Sequence, residues 1–211
     1  MSRKRTAETG DDGMNVLFDP FPETVEVGGK EYGIVTDFRE WIKFTELLRN
    51  AEQLDARILQ MILEWYVDDR PEDVVASITA LQGFLCAEEI YQEGERPTGE
   101  EWEDDTEVEA GSPAEAFSFR QDAICIYSAF MEVYGIDIET IPYMHWWKFL
   151  VLFWGLPADT EIKERIHYRT VDLATIKNKE ERERIEKIRK KIAIRNPRRK
   201  LNDYQIGDVF G

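Results

Sequence analysis

Apolar and polar positions recur with two different periods along this chain, and the change of period marks its plan. Thr24-Val-Glu-Val and Glu31-Tyr-Gly-Ile-Val flank Gly28-Gly29, the signature of two strands joined by a tight turn. A lone hairpin is marginal in water and needs a helix to pack on. From Asp37 the period turns helical. Phe38, Trp41, Ile42, Thr45 and Leu48 share one helix face, which Thr36 or Asp37 can cap and Asn50 can end. A second helix is predicted from about Leu54 to Val67 on Ile58, Met61, Ile62 and Trp65. A third takes Pro71 as its first residue and carries Val74, Ile78, Leu81 and Leu85 on one stripe. Ser112-Pro-Ala-Glu115 reads as a capping box opening a long helix to about Tyr134, closed by Gly135. An aromatic helix follows from Pro142 to Gly155, then one from Asp159 to about Arg169, and a last from about Thr175 to Ile194.

These elements predict a mainly α fold. A helical domain with a small N-terminal β-hairpin spans 14–174, and an extended, basic C-terminal helical arm and tail span 175–211. The polar residues 1–13 read as a flexible leader, and the Gly- and Pro-punctuated acidic stretch at about 92–112 reads as a mobile loop.

The aromatic helix is the densest feature. Trp146, Phe149, Leu150 and Phe153 form one stripe, and Trp147, Val151 and Trp154 form a second beside it. A helix apolar on two sides is either central to a core or covered by another chain. Core is favoured for Trp146 and Phe149, whereas Trp147 and Trp154 are candidate partner-binding residues. The C-terminal arm supplies three more, Ile185, Ile188 and Ile192. Their stripe is too narrow for a core helix and suits a partner or a second copy of the chain.

Charge refines this picture. The net charge is −16, yet it is unevenly spread. Glu93 to Glu109 holds nine acidic residues and only Arg96 as a base, while Lys177 to Lys200 holds twelve basic residues against four acidic. An acidic whole disfavours general nucleic-acid binding, which depends on Lys and Arg displacing counterions from phosphates. The arm's charges read first as a solvated face with i, i+4 pairs such as Glu183–Lys187. At 43% hydrophobic the chain is globular in composition, and no apolar run approaches the roughly 20 residues of a membrane span. Cys86 and Cys125 sit in apolar helical patterns, so small core residues in a reducing cytoplasm are expected rather than a disulfide.

Candidate chemistry is sparse. His145 lies beside two tryptophans and reads as the polar edge of the aromatic helix; His167 lies in an amphipathic surface pattern. No His or Cys spacing fits a metal, no glycine-rich phosphate loop follows a strand, and no nucleophile elbow occurs. The residues therefore predict neither enzyme activity nor a cofactor or metal. They predict an interaction protein.

Several short segments in order carry a resemblance. They are Met14-Asn-Val-Leu-Phe-Asp-Pro-Phe-Pro-Glu-Thr-Val, Thr36-Asp-Phe-Arg-Glu-Trp-Ile, Phe117-Ser-Phe with Gln121-Asp-Ala, Tyr134-Gly-Ile-Asp-Ile, His145-Trp-Trp-Lys-Phe and Tyr168-Arg-Thr-Val-Asp-Leu. Together they resemble the phage "gene product fifteen" family of siphophage tail-module proteins, over about Met14 to Ile194. The leader and the acidic insert depart from that family's pattern. The resemblance implies a tail assembly chaperone, encoded just before the tape-measure protein and acting in the host cytoplasm. Its implied partners are the tape-measure protein and the tail-tube protein, with no catalytic residues to carry over. Self-association and no membrane partner are expected from the residues themselves, through the apolar stripe of the arm and the lack of a membrane-length apolar run. A structural minor tail or connector protein is the alternative. An acidic DNA mimic blocking a host defence protein ranks well behind both.

Overall fold

In a computed structural model, residues 14–51, 55–90 and 116–195 are described. The expected leader, acidic loop, capping box at Ser112 and basic tail after Arg195 lie outside these residues. The fold is mainly α, with seven α-helices among the described residues and a single antiparallel hairpin near the N-terminus. The chain divides into two compact units: Met1–Thr98 with Pro142–Trp154, and Gly99–Ile141 with Gly155–Gly211. The aromatic helix belongs to the first unit, and the C-terminal helix shares the second with the helix before it.

In the first unit, β1 (Thr24–Val27) pairs with β2 (Lys30–Gly33), Val25 opposite Tyr32 and Val27 opposite Lys30. The two turn glycines both take positive φ, +61° at Gly28 and +79° at Gly29, which is what a two-residue hairpin turn demands. Asp37 caps α1 (Phe38–Asn50) by accepting from the Arg39 N–H at 2.9 Å. Its core face is Phe38, Trp41 and Phe44. The predicted face shares Phe38 and Trp41 with it; Ile42, Thr45 and Leu48, also predicted, are half-buried, and Phe44 is the buried residue the periodicity left out.

α2 (Ala56–Ile62) is shorter than predicted and tightens into a 3-10 turn at Leu63–Trp65. α3 (Val74–Cys86) starts three residues after Pro71, with Asp73 rather than proline setting its N-terminus through the Ala76 N–H. A side-chain acceptor satisfies an orphan donor, which proline only avoids. The hairpin packs on α3 through β1.

The second unit contains α4 (Ala123–Tyr134), α6 (Glu161–Thr170) and α7 (Lys179–Ile192); α5 (Trp146–Trp154) belongs to the first. The predicted long helix from Ser112 begins only at Ala123, after turns at Ala116–Asp122, and it ends as expected with Gly135 at φ +64°. α6 packs against both α4 and α7. Asn178 caps α7 through the N–H groups of Glu180 and Glu181. No described helix is long and apolar enough to cross a membrane.

Candidate partner-binding surfaces

The His-Trp-Trp segment that looked like a docking ridge is a structural joint. His145 begins α5: its carbonyl accepts from the Phe149 N–H, and its Nδ1 accepts from the Trp147 N–H at 3.0 Å. That leaves the ring proton on Nε2, which donates to the Pro22 carbonyl at 3.0 Å. Burial pushes the His145 pKa below its usual value, against a smaller opposing pull from the Pro22 carbonyl, so the ring stays neutral. Phe21 stacks on it at 5.0 Å.

The two indoles act one helix further away. Trp146 Nε1 donates to the Leu85 carbonyl at 3.0 Å and Trp147 Nε1 to the Phe84 carbonyl at 2.7 Å. Both carbonyls lie in the last turn of α3, and the Phe84 carbonyl accepts from the Ala87 N–H at 3.1 Å as well. The same turn closes on Ala87, a non-glycine residue at φ +51°. Phe38 stacks on Phe149 at 4.8 Å and Trp41 lies 4.7 Å from Phe84, so one aromatic layer joins α1, α3 and α5. Trp147 is 1% exposed. It is core, and the expectation that it faces a partner is corrected. An indole brings a large apolar ring and one donor, and both find their places inside. Trp154 is half-buried, edge-on to Phe153 at 5.1 Å.

The second unit is organised around a buried ion. The Asp122 carboxylate, fully out of solvent, accepts from Arg169 at 2.7 and 2.9 Å, from Arg165 at 3.1 Å and from the Ser118 N–H at 3.0 Å. Burial alone would raise its pKa. The hydrogen bonds from Arg169 and Ser118, the Arg169 charge and the Arg165 hydrogen bond outweigh that and hold it below the usual carboxylate range. Arg169 uses all its guanidinium N–H groups, since it also donates to the Ile192 carbonyl through Nε and Nη2 and to the Ala116 carbonyl at 3.1 Å.

Arg189 repeats the device from α7, donating to the Tyr168 and Val171 carbonyls at the end of α6. The Gln121 side-chain amide exchanges two 2.9 Å hydrogen bonds with the Arg195 backbone. The Ser118, Gln121-Asp122 and Tyr168-Arg169 segments that carry the resemblance thus meet one another. They hold the unit together.

These ties place the arm candidates. Ile185 is 5% exposed and turned inward, so its role as a docking residue is corrected too. Ile188 and Ile192 are half-buried. Three isoleucines on a 14-residue helix are too few to fill a core alone, but they suffice when arginine hydrogen bonds also hold the helix.

Other apolar side chains lie outside. Leu17 and Phe18 are each 82% exposed, on a turn held by Asn15 and Asp19: the Asn15 side chain accepts from the Leu17 N–H at 3.0 Å, and Asp19 accepts from the Asn15 N–H at 3.1 Å. On α4 the buried positions are Cys125, Ile126, Ala129 and Phe130, leaving Ile124 (81% exposed), Ser128 and Met131 on the outer face. Sequence reasoning missed all of these. The available signal was a surplus of apolar positions around α4, more than one buried face accounts for.

Burial pushes the Cys125 thiol above its usual pKa, keeping it a neutral core side chain. Among the described residues no three His, Cys, Asp or Glu side chains converge where a metal ion could sit.

No curated protein and no solved structure matches the chain. One family model, described as "Bacteriophage Gp15 protein", matches residues 17–194, from the exposed Leu17 to just past the end of α7. The chain belongs to this bacteriophage Gp15 family, which points to a structural or assembly-related phage protein.

Proposed function

We propose that this protein is a phage tail assembly chaperone. In the host cytoplasm it binds the tape-measure protein, keeps it soluble and recruits tail-tube subunits, without catalysing a reaction. The observation that carries the reading is the set of apolar side chains left in solvent, Leu17 and Phe18 on one unit and Ile124 and Met131 on the other. Leu17, Phe18 and Ile124 are each more than four-fifths exposed, and Met131 is 42% exposed. Each fully covered Leu, Ile, Phe or Met contributes about 1.5–3 kcal/mol, so even a few contacts hold an apolar helix. The charge of −16 keeps such a complex soluble. The family membership and the tail-module resemblance agree with this role.

The test is co-expression with the phage's tape-measure protein, followed by affinity capture and sizing. The expected result is a soluble complex with several copies of this chain, weakened at least tenfold in two variants, Leu17→Ser with Phe18→Ser and Ile124→Ser with Met131→Ser. An insoluble tape-measure protein, together with detection of this chain by mass spectrometry in mature particles, would overturn the proposal in favour of a structural tail component.

A further inference from the structure

The chain leaving α7 is held where an uncovered apolar stripe begins. Arg169, bound to Asp122, also holds the Ile192 carbonyl, and the Gln121 amide exchanges two 2.9 Å hydrogen bonds with the Arg195 backbone. Both ties bring the chain to the start of α4. The first turn of α4 carries Ile124, 81% exposed, and the same face continues through Ser128 and Met131 at i+4 and i+7. Ser128, small between two large side chains, leaves a notch in the stripe.

After Arg195 the sequence runs Asn196-Pro-Arg-Arg-Lys and then Leu201-Asn-Asp-Tyr-Gln-Ile-Gly-Asp-Val-Phe210. Half of that second segment is apolar: Leu201, Tyr204, Ile206, Val209 and Phe210. It follows the span that the family model matches, 17–194.

We infer that residues 201–210 dock on the outer face of α4 in the same chain, covering Ile124 and Met131. Reach allows it. Six residues from Arg195 to Leu201 extend to at most about 20 Å, whereas Gln121 to Met131 spans about 15 Å. So short a tether holds the segment at roughly millimolar effective concentration, and a weak contact then suffices. A second copy at micromolar concentration has no such advantage. The segment is therefore an internal cover. It shields an apolar stripe that would otherwise invite aggregation, and it yields to a longer apolar helix that makes more contacts. That last consequence rests on the proposed tape-measure role; the docking itself does not.

Photo-cross-linking of the full chain tests the docking without any partner. In a chain carrying Ile124→p-benzoylphenylalanine, irradiated at about 1 µM, α4 is expected to join residues 201–210 of the same chain. The product has monomer mass, and peptide mass spectrometry locates it. Ile206→Asp with Phe210→Asp should abolish it. In the chain without the photo-label, the same two tail changes should raise binding of an apolar dye several-fold, and adding Ile124→Ser with Met131→Ser should remove the gain. No cross-link to 201–210, or one found only between chains, overturns the inference.

The tail variant is further expected to bind the tape-measure protein about tenfold more tightly. Cross-linking with an unchanged affinity upholds the docking and refutes α4 as the tape-measure surface.

Discussion

Replacing Asp122 by asparagine tests the organisation of the second unit directly. The side chain keeps its size but loses its charge and one of two acceptor oxygens. Four donors now meet at the carboxylate, two from Arg169 and one each from Arg165 and Ser118. In the variant at least one of them faces an amide N–H₂, and the nearly buried Arg169 keeps its charge without a counter-ion. Breaking a buried ion pair by removing one partner costs about 3–5 kcal/mol. With a urea slope of about 2 kcal/mol/M, the unfolding midpoint at pH 7 is expected to fall by about 1.5–2.5 M.

Acid gives a second readout. The folded chain holds Asp122 ionised more strongly than the unfolded chain does, so its stabilisation is fully present above the unfolded pKa of about 3.9. It is lost as pH falls through the folded value. The gap between wild type and Asp122→Asn, followed by far-UV circular dichroism, should therefore close in acid. A loss at pH 7 under about 1 kcal/mol, or a gap unchanged between pH 6 and pH 2, refutes the reasoning.

Three further outcomes follow from the geometry. His145 has a lowered pKa, so its contribution is complete above the unfolded value of about 6.5 and fades as pH drops through the folded one. His145→Asn, which keeps an acceptor for the Trp147 N–H, should remove that part of the stability–pH profile, as read from urea midpoints between pH 7 and pH 5. Trp147→Phe keeps a ring but withdraws one of two donors to the Phe84 carbonyl, which retains the Ala87 N–H; a loss of about 0.5–1.5 kcal/mol from the hydrogen bond is expected by chemical denaturation. Ile185→Ala should cost about 2 kcal/mol or more, because the side chain is buried in the second unit. Ile188→Ala should cost under about 1 kcal/mol, which a paired urea melt of the two variants will show.

Local periods made much of the fold legible. The hairpin was readable because two adjacent glycines between alternating strands leave few other conformations. The cap at Asp37 and the closure at Gly135 were readable because each depends on residues within a turn of itself. The family, too, was legible, in short motifs that need no knowledge of the fold. Boundaries set by competition between neighbouring signals were less so. Pro71 and Asp73 both offered a start for α3, and the side-chain acceptor took it.

The candidate surfaces were hardly legible, and the cause is distance along the chain. Trp147 and Ile185 carry the right chemistry for a partner surface, but which face of a helix is covered depends on what arrives from elsewhere. His145 meets Pro22 from 123 positions away, and Trp147 meets the end of α3 from 63. Arg169 reaches across 47 positions to Asp122 and then holds α7 over Ile185. Periodicity records that a face is apolar; it holds no record of the partner. Helix, hairpin and cap could thus be read from residues a few positions apart, whereas burial of the tryptophan pair and exposure of Leu17, Phe18 and Ile124 arose only once distant segments packed.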